Sequence, residues 1–178
     1  MIKRIITAML LLLVFFNANA QKPSYALHVS NPLSIGNKFA LKFEVRTKQL
    51  GFLAYGVQYT DMLVPHYPGT QWGLEGRYYR LKGATPKHTN FWYVKGIQGI
   101  QQQKFGAGTG FNVLEKVPKA TYYGIGAGLG KRYIFKKLFL EYNIGLRTVR
   151  VTAKQDYTFY LIGPASILDL HFNWGFLF

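Results

Sequence analysis

The chain lacks cysteine altogether and is poor in acidic side chains. With no cysteine among its 178 residues, the protein can form neither a disulfide nor a thiolate metal site, and it has no thiol nucleophile. It has only 7 Asp and Glu against 22 Lys and Arg, which gives a formal net charge of +15. No segment shows sustained apolar spacing at i, i+3, i+4 and i+7, so amphipathic helices are not expected.

A continuous apolar run lies at the N-terminus. Residues 5–16 follow Lys3 and Arg4 and precede Asn17-Ala-Asn-Ala20. This is the order of a signal peptide with an A-x-A cleavage site, and the run is too short to cross a bilayer as a helix. We predict a cleaved signal peptide over residues 1–20 and one domain over residues 21–178; an uncleaved anchor is the alternative. An exported chain does not normally meet nucleic acid, so the basic charge predicts no such partner.

The C-terminus is an alternating, aromatic strand. In residues 168–178 one face carries the apolar side chains of Leu168, Leu170, Phe172, Trp174, Phe176 and Phe178. The other face carries Asp169, His171, Asn173 and Gly175. Side chains of a strand alternate between its faces, and a lipid-facing barrel strand has this pattern. A buried strand of a soluble sandwich explains the alternation but not the aromatic residue that ends the chain.

Seven further segments alternate in the same way, which makes eight strands. They are residues 25–31, 38–46, 52–60, 71–81, 91–101, 121–135 and 138–151. The phase of residues 91–101 is ambiguous, and a bulge is one explanation. The predicted turns at 47–51, 82–90 and 136–137 alternate with predicted outer loops at 34–37, 61–70, 102–120 and 152–164. An even strand count with both termini in the periplasm is typical of outer-membrane barrels. The sequence therefore predicts an all-β, eight-stranded antiparallel transmembrane β-barrel.

The predicted inward faces are rich in charge of both signs. They supply Lys42, Glu44, Arg46, Glu75, Arg77, Glu141, Arg147, Asp169 and His171. Eight strands leave an interior just wide enough for side chains to fill, and buried charges are costly unless they pair. We expect a filled polar lumen of ion pairs; a selective pore is the alternative. Alternate glycines from Gly124 to Gly130 should make room for long basic side chains.

The sequence gives less support to three other kinds of site: a dinucleotide site, a metal site and a hydrolytic site. The alternate glycines lie within a strand, whereas a dinucleotide site needs them between a strand and a helix. His28, His171 and Asp169 offer metal-binding groups on neighbouring strands, but packing in the lumen is the commoner role. Hydrolytic chemistry at the outer rim has candidate side chains in Ser34, Asp61, His66, Asp156 and Ser166. We predict no catalytic residue, no metal and no cofactor.

The whole mature chain resembles the small eight-stranded outer-membrane β-barrel proteins, especially the compact barrels of Bacteroidota-type Gram-negative bacteria. The resemblance rests on residues 76–79 (GRYY), on residues 124–133 (GIGAGLGKRY), on residues 136–142 (KKLFLEY) and on the aromatic C-terminal strand. It implies a cell outer-membrane location and contact with outer-membrane lipid and lipopolysaccharide. It also implies that Phe172, Trp174, Phe176 and Phe178 form the signal that the outer-membrane insertion machinery reads. Such families are mostly of undefined function, so no catalytic residue is carried over.

The expected role is structural, adhesive or interactive, through the outer loops rather than through an open pore. Long loops on a rigid scaffold commonly carry function. The longest predicted loop combines basic and aromatic side chains, namely Lys104, Phe105, Phe111, Lys116 and Lys119. These residues suit a protein partner or lipopolysaccharide. One alternative is an outer-membrane enzyme of the lipid A acyltransferase, deacylase or protease type, and another is a soluble lipocalin-like periplasmic barrel.

Overall fold

The structure is a computed structural model that describes residues 23–30, 38–59, 69–80, 87–101, 120–152 and 167–178. The predicted signal peptide, residues 81–86 and all but the end residues 69–70, 120 and 152 of the predicted outer loops lie outside these ranges. No helix in the described part of the chain is long and apolar enough to cross a membrane.

Eight β-strands form the described structure. In chain order they are β1 (Ser24–Ser30), β2 (Lys38–Thr47), β3 (Leu50–Tyr59), β4 (Gly69–Arg80), β5 (His88–Gln101), β6 (Ala120–Phe135), β7 (Leu138–Thr152) and β8 (Leu168–Leu177). Each strand matches a predicted segment, with ends that differ by up to three residues. The alternation of side chains is the reason, because it persists wherever one face of a strand meets the interior and the other does not.

The sheet closes on itself as an antiparallel barrel. Each strand pairs with the next in the chain, and β8 pairs back with β1, where Val29 is opposite Trp174. Closure removes both sheet edges, so every strand finds hydrogen-bonding partners on its two sides. The predicted eight-stranded antiparallel barrel is confirmed.

Two of the hairpins are tight, and they mark the end of the barrel where β1 begins and β8 ends. Thr47 pairs with Leu50, and Phe135 pairs with Leu138. The first residue of each two-residue loop, Lys48 and Lys136, has a left-handed backbone with φ of 40° and 60°. We call this end the turn end. The opposite end is the loop end; in sequence, the strands there are joined by residues 60–68, 102–119 and 153–166.

Strand β5 has an unbroken register, so it contains no bulge. Its pairing runs residue for residue from His88 to Gln101 against β6, and equally regularly against β4. Phe91, Tyr93, Lys95 and Ile97 point inward, whereas Trp92 and Val94 are more than half exposed on the outside. Both faces carry large apolar side chains, which is why hydrophobicity alone left the phase ambiguous.

The outside of the barrel is largely apolar, and the inside combines polar and charged side chains with aromatic ones. Val94, Ile125 and Leu146 are 64%, 69% and 63% exposed, whereas a water-soluble protein keeps such side chains inside. In β3 the larger apolar set, Leu53, Tyr55, Val57 and Tyr59, is instead buried in the lumen. The outward face of β3 there carries Ala54, Gly56 and Gln58, with Phe52 near the turn end.

The inward glycines of β6 make room mainly for aromatic rings. A Cβ at Gly130 would overlap the ring of Phe91, and one at Gly128 would lie 2.5 Å from the Tyr93 hydroxyl. Only at Gly126 does a long basic side chain come close, with Lys95 Cε at 3.4 Å from such a Cβ. The predicted space for basic side chains is therefore real at Gly126, whereas aromatic rings take up the space at Gly128 and Gly130.

This packing makes a specific prediction for paired glycine substitutions. Gly130→Val should lower the free energy of unfolding in detergent or lipid by about 3 kcal/mol, because the Phe91 ring cannot retreat within a filled lumen. Gly96→Val is the matched control, since nothing lies within 4 Å of a Cβ at that outward position. Urea unfolding followed by tryptophan fluorescence measures both. Equal destabilisation by the two substitutions would contradict the assigned faces.

Candidate functional site

The structure places the nine predicted lumen residues inside the barrel. Eight of them are buried, and Arg46 is half-buried at the turn end. Sequence reasoning missed two buried cations, Lys95 and Arg132. It also missed the tyrosines whose hydroxyls enter the network, which are Tyr59, Tyr79, Tyr93 and Tyr122. The signal that could have found Arg132 is the glycine alternation of β6, which continues in phase to that residue.

Glu141 is the centre of an ion-pair network near the turn end. Its Oε2 accepts hydrogen bonds from Arg77 Nη1 at 2.7 Å and from Arg132 Nη2 and Nε at 2.7 and 3.0 Å. Arg77 also donates through Nε to Glu75 Oε1 at 2.5 Å. Asn173 Nδ2 donates to Glu141 Oε1 at 3.3 Å. These residues come from β4, β6, β7 and β8, so the network crosses the lumen and ties distant strands together.

Glu44 extends the same network to the other side of the barrel. Its Oε2 accepts from Arg132 Nη2 at 2.6 Å and lies 2.9 Å from His28 Nε2. Its Oε1 accepts from the Tyr79 hydroxyl at 2.5 Å. The other ring nitrogen of His28 lies 3.6 Å from Glu141 Oε1. The imidazole is therefore held between two carboxylates, and Arg132 bridges the same two.

Aromatic rings cover the guanidinium groups of this network. The Cζ atom of Arg132 is 4.3 Å from the ring centre of Phe139, and that of Arg77 is 4.3 Å from the ring centre of Phe91. Half-buried Arg46 lies 4.1 Å from the ring centre of Tyr79. Guanidinium groups are attracted to aromatic faces, most strongly where water is excluded. Charged and aromatic side chains therefore fill the cross-section of the barrel together.

A second cluster lies further toward the loop end, around Asp169. Lys95 Nζ donates to Asp169 Oδ1 at 2.5 Å, and the Tyr93 hydroxyl donates to Oδ2 at 2.5 Å. His171 Nε2 lies 2.9 Å from Oδ1 and 3.3 Å from Lys95 Nζ. One carboxylate thus joins β5 to β8 across the lumen.

Near the loop end, a neutral amide organises the lumen. Gln71 Oε1 accepts from Tyr122 at 3.1 Å, from Arg147 Nη1 at 3.2 Å and from Tyr59 at 3.4 Å. All four side chains are buried. The lumen is therefore filled by polar and aromatic groups at three successive levels.

His28 and His171 do not converge on a metal site. His28 is in register with Gly175 of β8, whereas His171 lies nearer the start of that strand. The ammonium group of Lys95 binds the same Asp169 oxygen as His171, which would repel a cation there. Within the described ranges, no group of three or more His, Cys, Asp or Glu side chains is arranged to hold a metal ion.

The remaining predicted residues divide into two groups. Phe172, Trp174, Phe176 and Phe178 point away from the lumen, and the last three are more than half exposed. The binding-loop residues Lys104, Phe105, Phe111, Lys116 and Lys119 lie outside the described residues. The same is true of the hydrolase candidates Ser34, Asp61, His66, Asp156 and Ser166.

The barrel is similar to solved bacterial β-barrels. Neisserial surface protein A (NspA) matches with a TM-score of 0.51 and 11% identity, over 87% of this chain and 92% of that chain. The N-terminal β-barrel domain of Pseudomonas aeruginosa OprF has a TM-score of 0.47 and 14% identity, over 88% of this chain and 96% of that chain. No protein-family model matches the sequence, and no curated protein matches it significantly.

At 11% identity the likeness to NspA bears on the fold alone. The closed register, the apolar exterior and the charged interior agree with it. The chain therefore has the fold of the small eight-stranded outer-membrane β-barrels, with a filled polar lumen.

Proposed function

We propose that the protein is an outer-membrane barrel with a structural or adhesive role, which presents its outer loops and does not conduct. The observation that carries this proposal is the reversed distribution of polarity. All four acidic side chains within the described ranges are buried in the lumen, and the exposed wall is apolar. Only a hydrocarbon environment makes such an exterior favourable around the whole circumference.

The proposed location includes export and cleavage before Gln21. The protein should fractionate with outer membranes and migrate on a gel at different positions before and after boiling, as folded barrels do. N-terminal sequencing of that fraction should begin at Gln21. Recovery as a periplasmic protein that needs no detergent would instead support the lipocalin-like alternative. The link to Bacteroidota-type barrels remains a prediction from the sequence.

The filled lumen predicts that the purified barrel forms no stable channel. Arg132, Glu141 and Tyr79 are fully buried within it, and eight strands leave no further room. In planar bilayers the protein should add no long-lived conductance of porin size. Arg132→Gly with Arg77→Gly is the companion variant, because it opens space in the lumen; it should conduct more than the parent. Large, long-lived channels from the unaltered protein would contradict the proposal.

The outer loops are the proposed contact surface, above all residues 102–120. This segment holds apolar anchors such as Phe105 and Phe111 together with Lys104, Lys116 and Lys119. Exposed apolar clusters commonly mark interaction sites. The proposed partners are lipopolysaccharide or a protein. A catalytic role at the same rim would require the Ser, His and Asp side chains there to come within hydrogen-bond reach of one another.

Replacement of residues 103–119 by a short Gly-Ser turn tests the loop. We expect the variant to assemble, because both flanking strands keep their pairing, and to lose any partner recovered with the parent from membrane fractions. The control replaces residues 153–163 with a turn of the same length. A variant that assembles and keeps every partner would remove this loop from the account.

A further inference from the structure

Six basic side chains lie at the turn end of the barrel. They are Lys48, Arg80, Lys87, Lys131, Lys136 and Lys137, and we call them the basic collar. Five are exposed and Lys131 is half-exposed. They come from the hairpin between β2 and β3, from the facing ends of β4 and β5, and from the end of β6 with its hairpin to β7. The collar therefore spans the rim from β2 to β7.

No acidic side chain neutralises the collar on the described exterior. Glu44, Glu75, Glu141 and Asp169 are the acidic residues within the described ranges, and all four are buried in the lumen. The other three of the 7 acidic residues, Asp61, Glu115 and Asp156, belong in sequence to connections at the loop end. No acidic side chain of the described exterior therefore offsets the positive charge of the turn end.

A band of aromatic side chains places the collar at a definite depth. Tyr78 and Trp92 are paired across β4 and β5, next to Arg80 and Asn90, and both are exposed on the outer wall. Trp174 is exposed near the same end. Lys131 Nζ lies 4.8 Å from the ring centre of Tyr133. Aromatic girdles of barrels mark the interface between hydrocarbon and headgroups, so the collar lies at the level of the headgroups.

We propose that the basic collar binds the anionic headgroups of phospholipids in the membrane leaflet at the turn end. The inference rests on the membrane location proposed above. Lipid surrounds a barrel on every side, and the collar spans the rim from β2 to β7, whereas a protein partner would contact one part of the rim. Basic side chains beside a bilayer are attracted to anionic lipid, and a long side chain such as that of Lys131 can lie along the wall and keep its ammonium at the headgroups.

Tryptophan quenching by brominated lipid tests the collar. The whole protein is purified from membranes and reconstituted in phosphatidylcholine vesicles that contain dibrominated phosphatidylglycerol or, for comparison, dibrominated phosphatidylcholine. A Trp72→Phe background leaves Trp92 and Trp174, from the 3 tryptophans of the chain, as reporters near the turn end. We expect these reporters to prefer phosphatidylglycerol by about three-fold or more at low salt. High salt should abolish most of that preference by screening.

Two variants that lose the same number of positive charges show which end of the barrel causes the preference for phosphatidylglycerol. The first carries Arg80→Gln, Lys87→Gln, Lys131→Gln and Lys137→Gln; it spares Lys48 and Lys136, whose backbones are left-handed. The second carries Lys104→Gln, Lys116→Gln, Lys119→Gln and Lys154→Gln in the predicted outer loops. The first should lose most of the preference and the second should keep it.

Equal losses in the two variants, or no preference in the unaltered protein at low salt, would overturn the collar proposal. If the first variant does not fold, the lipid preference of the unaltered protein at low and at high salt still tests the proposal. Failure of the unaltered protein to insert into any vesicle would contradict the membrane location itself. Normal insertion without a lipid preference would leave that location intact and overturn the collar alone.

Discussion

Glu141→Gln is expected to lower the free energy of unfolding by about 3–5 kcal/mol. We expect no other single substitution that removes a charge from the lumen to have a larger effect. The side chain keeps its size but loses its charge. Arg77 and Arg132, whose hydrogen bonds to Oε2 are 2.7 Å long, are then left buried beside a neutral amide. Urea unfolding in a lipid or detergent environment measures the change.

Tyr142→Phe is the control for this substitution. Tyr142 is the next residue of β7 and lies on the outer wall, where it is 44% exposed. Removal of its hydroxyl should change the free energy of unfolding by under about 1 kcal/mol, as for most exposed positions. If Glu141→Gln proved as mild as Tyr142→Phe, the ion-pair network could not be what holds the strands together.

The second large effect concerns assembly in cells. Trp174→Asp with Phe178→Asp should remove the folded barrel from the outer membrane almost completely. The cost of the charges themselves is small, about 1 kcal/mol or less each near the membrane interface. We therefore attribute the loss to recognition of the aromatic C-terminal strand by the insertion machinery. The gel shift of unboiled membrane samples measures folded protein.

A double substitution on other strands provides the matched control. Tyr78→Asp with Trp92→Asp places the same charges near the same end of the outer wall, on β4 and β5. This variant should still assemble in cells. Both variants should refold from urea into detergent, where no machinery is present. Equal assembly of the two variants in cells would show that the terminal strand carries no special signal.

The architecture was predictable because alternation has a direct physical cause. A strand whose faces meet lipid and lumen must alternate with period 2, and eight such segments with an even count imply closure. The tight turn at Lys136 and Lys137 followed for the same reason, since the alternation of β6 and β7 stops there. The charged lumen residues were predictable in the same way, because the alternation along each strand assigns every second side chain to the lumen once one face is known to be lipid-facing.

The features that the sequence did not predict arise where hydrophobicity does not decide which face is inside. In β3 the lumen takes Leu53, Tyr55 and Tyr59, because a narrow interior needs bulky filling beside glycines: a Cβ at Gly73 would lie 2.7 Å from the Tyr55 hydroxyl. Lys95 was missed because β5 carries large apolar groups on both faces. Contacts across the lumen, such as that between Arg132 and Glu44, form only because the barrel closes. The local sequence therefore gives no signal for them.

The central claim is that lipid surrounds a closed barrel whose faces are assigned as described, and a cysteine scan of β3 tests it most directly. The chain has no native cysteine, so a spin label at each residue from Phe52 to Gln58 in reconstituted protein reports one position. The account predicts high oxygen accessibility, which is typical of lipid, at Phe52, Ala54 and Gly56, and low accessibility at Leu53, Tyr55 and Val57. The opposite phase, or access for a water-soluble relaxation agent along the whole strand, would contradict it.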